Sequence, residues 1–131
     1  MTAKARLGAL GEQVAAKYLK QAGFKVVAQN YQKPWGEIDL VATKGGNLHF
    51  VEVKTVTKAE NVLHETGEPG DDYEPADNIH PWKLKRLARA MESFMLDQNI
   101  PEEVDYQLDA ILVYLSPKEQ VLKIEYLPDI F

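Results

Sequence analysis

Two acids and a lysine are spaced for chemistry in this chain: Asp39, then after twelve intervening residues Glu52-Val53-Lys54. They sit in two short runs otherwise rich in Ile, Leu, Val and Phe, Glu37–Thr43 and Leu48–Thr55, joined by Lys44-Gly45-Gly46-Asn47. Apolar runs around a Gly-Gly pair predict a β-hairpin. With Gly45 and Gly46 at its centre, the register places Asp39 opposite Glu52 and Glu37 opposite Lys54. Alternation puts Phe50, Glu52 and Lys54 on one face of the second strand, with His49, Val51 and Val53 on the other. In the first strand it puts Glu37, Asp39 and Val41 together. Four charged groups then gather on one face of the hairpin.

Directly opposed carboxylates, with Cβ atoms about 5 Å apart, repel unless something positive lies between them. A hard divalent cation, Mg²⁺ or Mn²⁺, suits that position, with water and the Val53 carbonyl as further ligands. Such an ion polarises a phosphoryl oxygen and lowers the pKa of a bound water. Lys54 on the same face can hold that water or stabilise charge developing on the phosphate. The set Asp39, Glu52 and Lys54 therefore meets the needs of metal-assisted phosphodiester hydrolysis. The same residues also read as a cross-strand salt-bridge cluster on a solvated sheet face.

The flanking sequence supplies elements to carry this hairpin. Leu7, Leu10, Val14 and Tyr18 repeat at helical spacing, predicting a helix over Lys4–Ala22 that stops at Gly23. Lys25–Tyr31 reads as a strand and Lys33-Pro34-Trp35-Gly36 as a turn. Pro81 opens a second helix running to about Gln98, with Leu84, Leu87, Ala88, Met91, Phe94 and Met95 as its buried stripe. Lys83, Lys85, Arg86 and Arg89 populate its first turns, either as a solvated face or as phosphate contacts. Asp105–Leu115 and Gln120–Leu127 read as a last strand pair. The order αβββαββ predicts one α/β domain over residues 1–131, with a central mixed five-stranded sheet flanked by helices. Between the hairpin and the second helix, Gly67, Pro69, Gly70 and Pro75 predict a flexible acidic loop at about 56–80.

Composition narrows the class. The net charge of −5 is uneven: residues 1–58 carry nine Lys/Arg against four acids, while residues 59–82 carry seven acids and no base. An acidic average therefore does not exclude a phosphate-facing surface. The absence of cysteine removes disulfides, thiolate zinc sites and cysteine nucleophiles, and suits a reducing cytoplasm. The longest uncharged apolar run, Ala110–Leu115, is far too short for a membrane span, and Lys4, Arg6, Lys17 and Lys20 interrupt any leader-like segment. A cytoplasmic protein is expected. His49, His64 and His80 are too scattered for a zinc site, and Asp109, between Leu108 and Ala110-Ile111, reads as a buried hydrogen-bonding acid.

A longer string joins these signals: Gly11-Glu12, Tyr18-Leu19, Gly23, Asn30-Tyr31, Gly36-Glu37-Ile38-Asp39-Leu40-Val41 and Phe50-Val51-Glu52-Val53-Lys54-Thr55. It resembles the YraN-type family of predicted endonucleases, members of the PD-(D/E)xK superfamily that are similar in turn to archaeal Holliday-junction resolvases. The resemblance covers nearly the whole chain, including Lys85, Asp109 and Phe131. It implies a restriction-endonuclease-like fold and Mg²⁺- or Mn²⁺-dependent hydrolysis of DNA, branched or junction DNA included, by a homodimer. Asp39 and Glu52 would then bind metal, Lys54 would be the catalytic lysine, and Glu12 the extra acid brought by the first helix. Glu37 would support Lys54 or the ligands from just outside the site. Gly8, Ala15 and Leu19 flank Glu12 at helical spacing, and the small residues among them permit close approach to a sheet. The alternative from another class is a non-catalytic adaptor for nucleic acid or protein that keeps the nuclease fold.

Overall fold

The computed structural model describes residues 1–58 and 81–131. The first helix, α1 (Ala3–Gln21), starts where the Thr2 hydroxyl accepts the Ala5 N–H at 3.0 Å. It ends at Gly23, whose φ of 93° suits glycine, with the Phe24 N–H returning to the Leu19 carbonyl at 2.9 Å. The strands are β1 (Lys25–Lys33), β2 (Gly36–Lys44), β3 (Asn47–Thr57), β4 (Tyr106–Leu115) and β5 (Val121–Leu127); the second helix, α2 (Pro81–Asp97), lies between β3 and β4 in the chain. They form one sheet in the order β1-β2-β3-β4-β5, parallel between β3 and β4 and antiparallel elsewhere. The predicted element order and mixed sheet are thus observed.

Each helix covers one face of the sheet. On the α1 face Ala15, Ala16, Leu19 and Phe24 pack with Leu40, Val51, Ile111 and Val113. On the α2 face Leu87, Ala90 and Phe94 pack with Ile38, Val41, Leu48 and Phe50. The buried edge of α1 is Gly11, Ala15, Ala16 and Leu19, while the larger Leu7, Leu10, Val14 and Tyr18 are only partly buried beside it. The expected stripe is therefore rotated toward the small residues. The cause is close approach: a Cβ at Gly11 would run into the Thr55 hydroxyl. In α2 the same displacement leaves Ala88 exposed and buries Ala90. There Gly36 lies against the Arg86 backbone, whose carbonyl carbon would stand 3.0 Å from an added Cβ.

The β2–β3 hairpin turns at Gly45 and Gly46, with φ of 59° and 83°, and its register runs as predicted from Lys44↔Asn47 to Leu40↔Val51. The ladder then stops. Farther on, β2 pairs only with β1, as far as Gly36↔Lys33, and β3 only with β4, as far as Thr57↔Leu115. The expected pairs Asp39–Glu52 and Glu37–Lys54 are therefore not included in the sheet, because the two strands separate just before reaching them. Alternation also slips here. Ile38 and Val41 both join the α2-face cluster, as do Ala28 and Tyr31 on β1, across Asn30 at φ 51°. An odd spacing cannot keep one face in a regular strand, so Glu37, Asp39 and Val41 do not share a face as the sequence predicts. Val56 and Thr57, expected in the loop, extend β3; the rest of that loop, with His64 and most of the acidic run, lies outside the described residues.

The glycine contacts yield a stability prediction. Gly36→Ala should destabilise the fold by about 1–3 kcal/mol, since the clash is with backbone. Gly8→Ala, in open space within α1, should stabilise it by about 0.5–1 kcal/mol. Urea denaturation of the two variants beside the parent checks both signs.

Candidate active site where two strands separate

Separation of β2 from β3 opens a gap at Asp39. A carboxylate takes over from the missing ladder: Asp39 Oδ2 accepts the Val53 N–H at 2.8 Å. This bond fixes the side chain between the two strands. Glu52 lies one residue before Val53 and shares the α2 face with Phe50 by alternation, and its Oε1 accepts from Lys83 Nζ of α2 at 3.0 Å. Glu12 approaches from α1, on the other face, where Gly11 has brought the helix against Thr55. Its Oε1 is buried and has no hydrogen-bond partner among the described residues. The gap is thus where acids from both faces of the sheet meet.

Their charges act on one another. Burial and then the neighbouring Glu52 push the Asp39 carboxyl up to about 7 from 3.8; the Val53 N–H opposes this, and Glu12 and Glu37 add to it. The Glu12 carboxyl is likewise raised, by burial first and then by Glu37 and Glu52. Lys54 follows Glu52 on the same face, is exposed, and forms no ion pair among the described residues. Glu37 is exposed and accepts from Gln32 Nε2 at 3.3 Å, so Gln32 takes the place expected for Lys54.

These oxygens suit a hard cation. Asp39 and Glu52 each keep one carboxylate oxygen outside the bonds just described, and the buried Glu12 Oε1 has unused acceptor capacity. No group of three or more His, Asp or Glu side chains is already drawn together at ligating distance among the described residues.

The basic residues at the start of α2 divide into separate roles. Lys83, expected to contact phosphate, is tied to Glu52. Lys85 is exposed. The Arg86 guanidinium lies 5.9 Å from the centre of the Trp82 ring, and that of Arg89 lies 5.6 Å from Trp35, whose indole N–H donates to Ser93 Oγ at 2.9 Å. Two clefts flank the carboxylates. One of about 560 Å³ runs between α1 and β1 past Glu12, Gln29 and Asn30; the other, about 590 Å³, is lined by Gln32, Lys33, Glu37, Trp82 and Arg86. Sequence reasoning missed Trp82 and the Lys83–Glu52 pair; an exposed-face Trp followed by Arg at helical spacing was the available signal. Asp109 behaves as expected of a structural acid. Fully buried, it accepts from His49 Nδ1, Tyr126 Oη and Gln107 Nε2, each at 2.7 Å, and from the Asp129 N–H at 2.8 Å.

A mixed five-stranded sheet with a helix on each face, in the order αβββαββ, is a restriction-endonuclease-like fold. The comparisons with known proteins then give the family. Residues 11–113 match the uncharacterised protein family UPF0102, and the chain belongs to that family, the YraN-type family its motif string resembles. Similar members include the UPF0102 protein of Wolinella succinogenes, 37% identical over 71% of this chain and 73% of its own length. The UPF0102 protein of Dictyoglomus turgidum is 32% identical over 95% of this chain and 96% of its own. One from Campylobacter jejuni is 34% identical over 81% of each. No helix among the described residues is long and apolar enough to cross a membrane.

The electrostatics predict a pH effect on folding. Because the folded Asp39 carboxyl titrates above its ordinary value, the native state holds a proton that the unfolded chain releases. This contribution favours folding below about pH 4 and is lost as pH rises through about 7. In EDTA, Asp39→Asn, which keeps an acceptor for the Val53 N–H, should be more stable than the parent at pH 8 by about 1–3 kcal/mol. The difference should shrink toward pH 4. Parallel denaturation curves for the two proteins across that range would contradict the charge crowding described here.

Proposed function

We propose that this chain is an endonuclease that hydrolyses DNA phosphodiester bonds with Mg²⁺ or Mn²⁺. The observation supporting this most directly is the meeting of Asp39, Glu52 and Glu12 where β2 and β3 separate, with Lys54 on the Glu52 face. Asp39 and Glu52 would hold the cation through their remaining oxygens, and Glu12 would complete the pocket from α1. When bound, the cation polarises the phosphoryl group and lowers the pKa of a coordinated water. Lys54 donates hydrogen bonds, either orienting the attacking water or stabilising the added negative charge on the phosphoryl oxygens. The water oxygen bonds to phosphorus as the ester P–O bond breaks, and its proton passes to the surroundings while the leaving oxygen gains one. Lys83 neutralises some of the acid cluster's charge in the free protein, and on this reading it would be available to substrate phosphate were Glu52 to serve as a metal ligand. The family resemblance adds branched DNA as substrate, a cytoplasmic setting, and a homodimer that would present one site to each of two strands.

One observation favours the second reading, a nucleic-acid or protein adaptor: the Glu52–Lys83 pair already compensates one acid without any metal. Cleavage assays separate the two. Purified protein is incubated with four-way junction, flap, single-stranded and duplex DNA in Mn²⁺, Mg²⁺ or EDTA. The nuclease reading expects metal-dependent cutting that falls about 100-fold or more in Lys54→Ala and disappears in Asp39→Asn. An intact fold that neither cuts any of these substrates nor binds metal would leave the adaptor.

A further inference from the structure

The cleft between α1 and β1 is open at a glycine that packing does not require. Gly8 lies inside α1, where glycine is the poorest residue after proline. At Gly11 the fold needs a glycine, because a Cβ would run into Thr55; at Gly8 a Cβ would meet nothing within 4 Å. The space that Gly8 leaves belongs to the cleft, about 560 Å³ in volume. Across from it is Asn30, a non-glycine residue in the left-handed region at φ 51°. The pairs Gln29↔Leu40 and Tyr31↔Ile38 flank Asn30, so it stands level with Asp39 on the neighbouring strand. Asn30, Gln29 and Gln13 line the cleft, are exposed, and make no side-chain hydrogen bond to any described residue. Lys4, near one end, has no ion pair among the described residues, whereas Arg6 is paired with Glu119. Glu12 lies about 12 Å farther along the helix, its Oε1 buried and unpartnered.

We propose that this cleft holds the sugar-phosphate backbone of one DNA strand beside the cut. The amides of Asn30, Gln29 and Gln13 donate to phosphate oxygens, and Lys4 pairs with a phosphate farther out. On the hydrolytic reading, on which this rests, the reacting phosphate lies at the Glu12 end. The lining selects backbone over bases: no aromatic ring borders the cleft among the described residues, and base stacking needs one. From Lys4 to Glu12 the span is about three nucleotides at about 3.4 Å each. Amides also suit the neighbourhood of a cation site. A lysine beside Glu12 would pair with it, as Lys83 does with Glu52, whereas an amide donates to phosphate and leaves the acids their charge. Contacts of this kind fix the strand's position and carry no sequence information.

Binding tests this without any need for cleavage. The full chain is titrated in EDTA against fluorescently labelled single-stranded and duplex DNA of about 15 nucleotides, in two sequences, over about 50–200 mM salt. Gly8→Leu fills the cleft from a position where the fold has room, so it should resist urea better than the parent yet bind DNA at least about tenfold more weakly. Asn30→Gly keeps the backbone, since glycine accepts φ of 51°, and should weaken binding about tenfold with the salt dependence unchanged. Lys4→Ala should reduce the slope of log K against log salt by about one. Each loss should be the same for both sequences. A folded Gly8→Leu protein that binds like the parent overturns the proposal, as does a parent that binds neither DNA. If Gly8→Leu does not fold, parent-like affinity in Asn30→Gly with an unchanged slope in Lys4→Ala overturns it. Cleavage assays in Mn²⁺ keep the two hypotheses apart. Binding lost in these variants, with no cutting of any substrate by the parent, leaves the cleft and removes the nuclease. Cutting that Gly8→Leu and Asn30→Gly do not slow removes the cleft and leaves the nuclease.

Discussion

The hydrogen bond from the Val53 N–H to Asp39 Oδ2 organises this molecule. When β2 and β3 separate beyond Leu40 and Val51, the donors and acceptors of a half-buried ladder lose their partners, and a buried N–H left unsatisfied is costly. A side-chain carboxylate supplies the missing acceptor. In doing so it is drawn into the gap between strands, where burial and neighbouring acids raise its proton affinity. Fold and site share this one contact: the strands could not separate as cheaply without Asp39, and Asp39 would not be held there if they stayed paired.

The separation also lets the two faces of the sheet communicate. Glu12 belongs to the α1 side and Glu52 to the α2 side, and an intact sheet would keep them apart. Glycines make the approach close enough, Gly11 against Thr55 on one face and Gly36 against the Arg86 backbone on the other. The acids that converge are only partly compensated, chiefly by Lys83 on Glu52. Residual repulsion of this kind is what raises the proton affinity of Asp39 and Glu12 beyond the effect of burial.

The buried Asp109 and the half-buried Asp39 make the distinction concrete. Asp109 accepts four hydrogen bonds, from His49, Gln107, Tyr126 and the Asp129 backbone, the last holding the chain end to β4. Its charge is surrounded by donors, as a structural carboxylate requires. Asp39 has one backbone donor and three acids within electrostatic reach. Both lie in apolar strands beside the same β3, so local composition does not separate them; their partners do.

Much of this was legible in the order of residues. Helical and strand periodicities predict αβββαββ, Gly45-Gly46 sets the hairpin register, and alternation puts Glu52 and Lys54 together, all because these depend on neighbours near in sequence. The expected Asp39–Glu52 and Glu37–Lys54 pairs assume that a register begun at the turn continues indefinitely. It ends at Leu40↔Val51, beside the slip in alternation that Ile38 and Val41 mark on β2 and Asn30, at φ 51°, on β1. The rotated stripe of α1 follows from how near Thr55 lets the helix come, and the Lys83–Glu52 pair from α2 crossing the opposite face. The sequence by itself determined which residues can carry charge and which strand each occupies. Tertiary structure alone decided which charges meet, because the meeting place is a gap between strands to which both helices contribute.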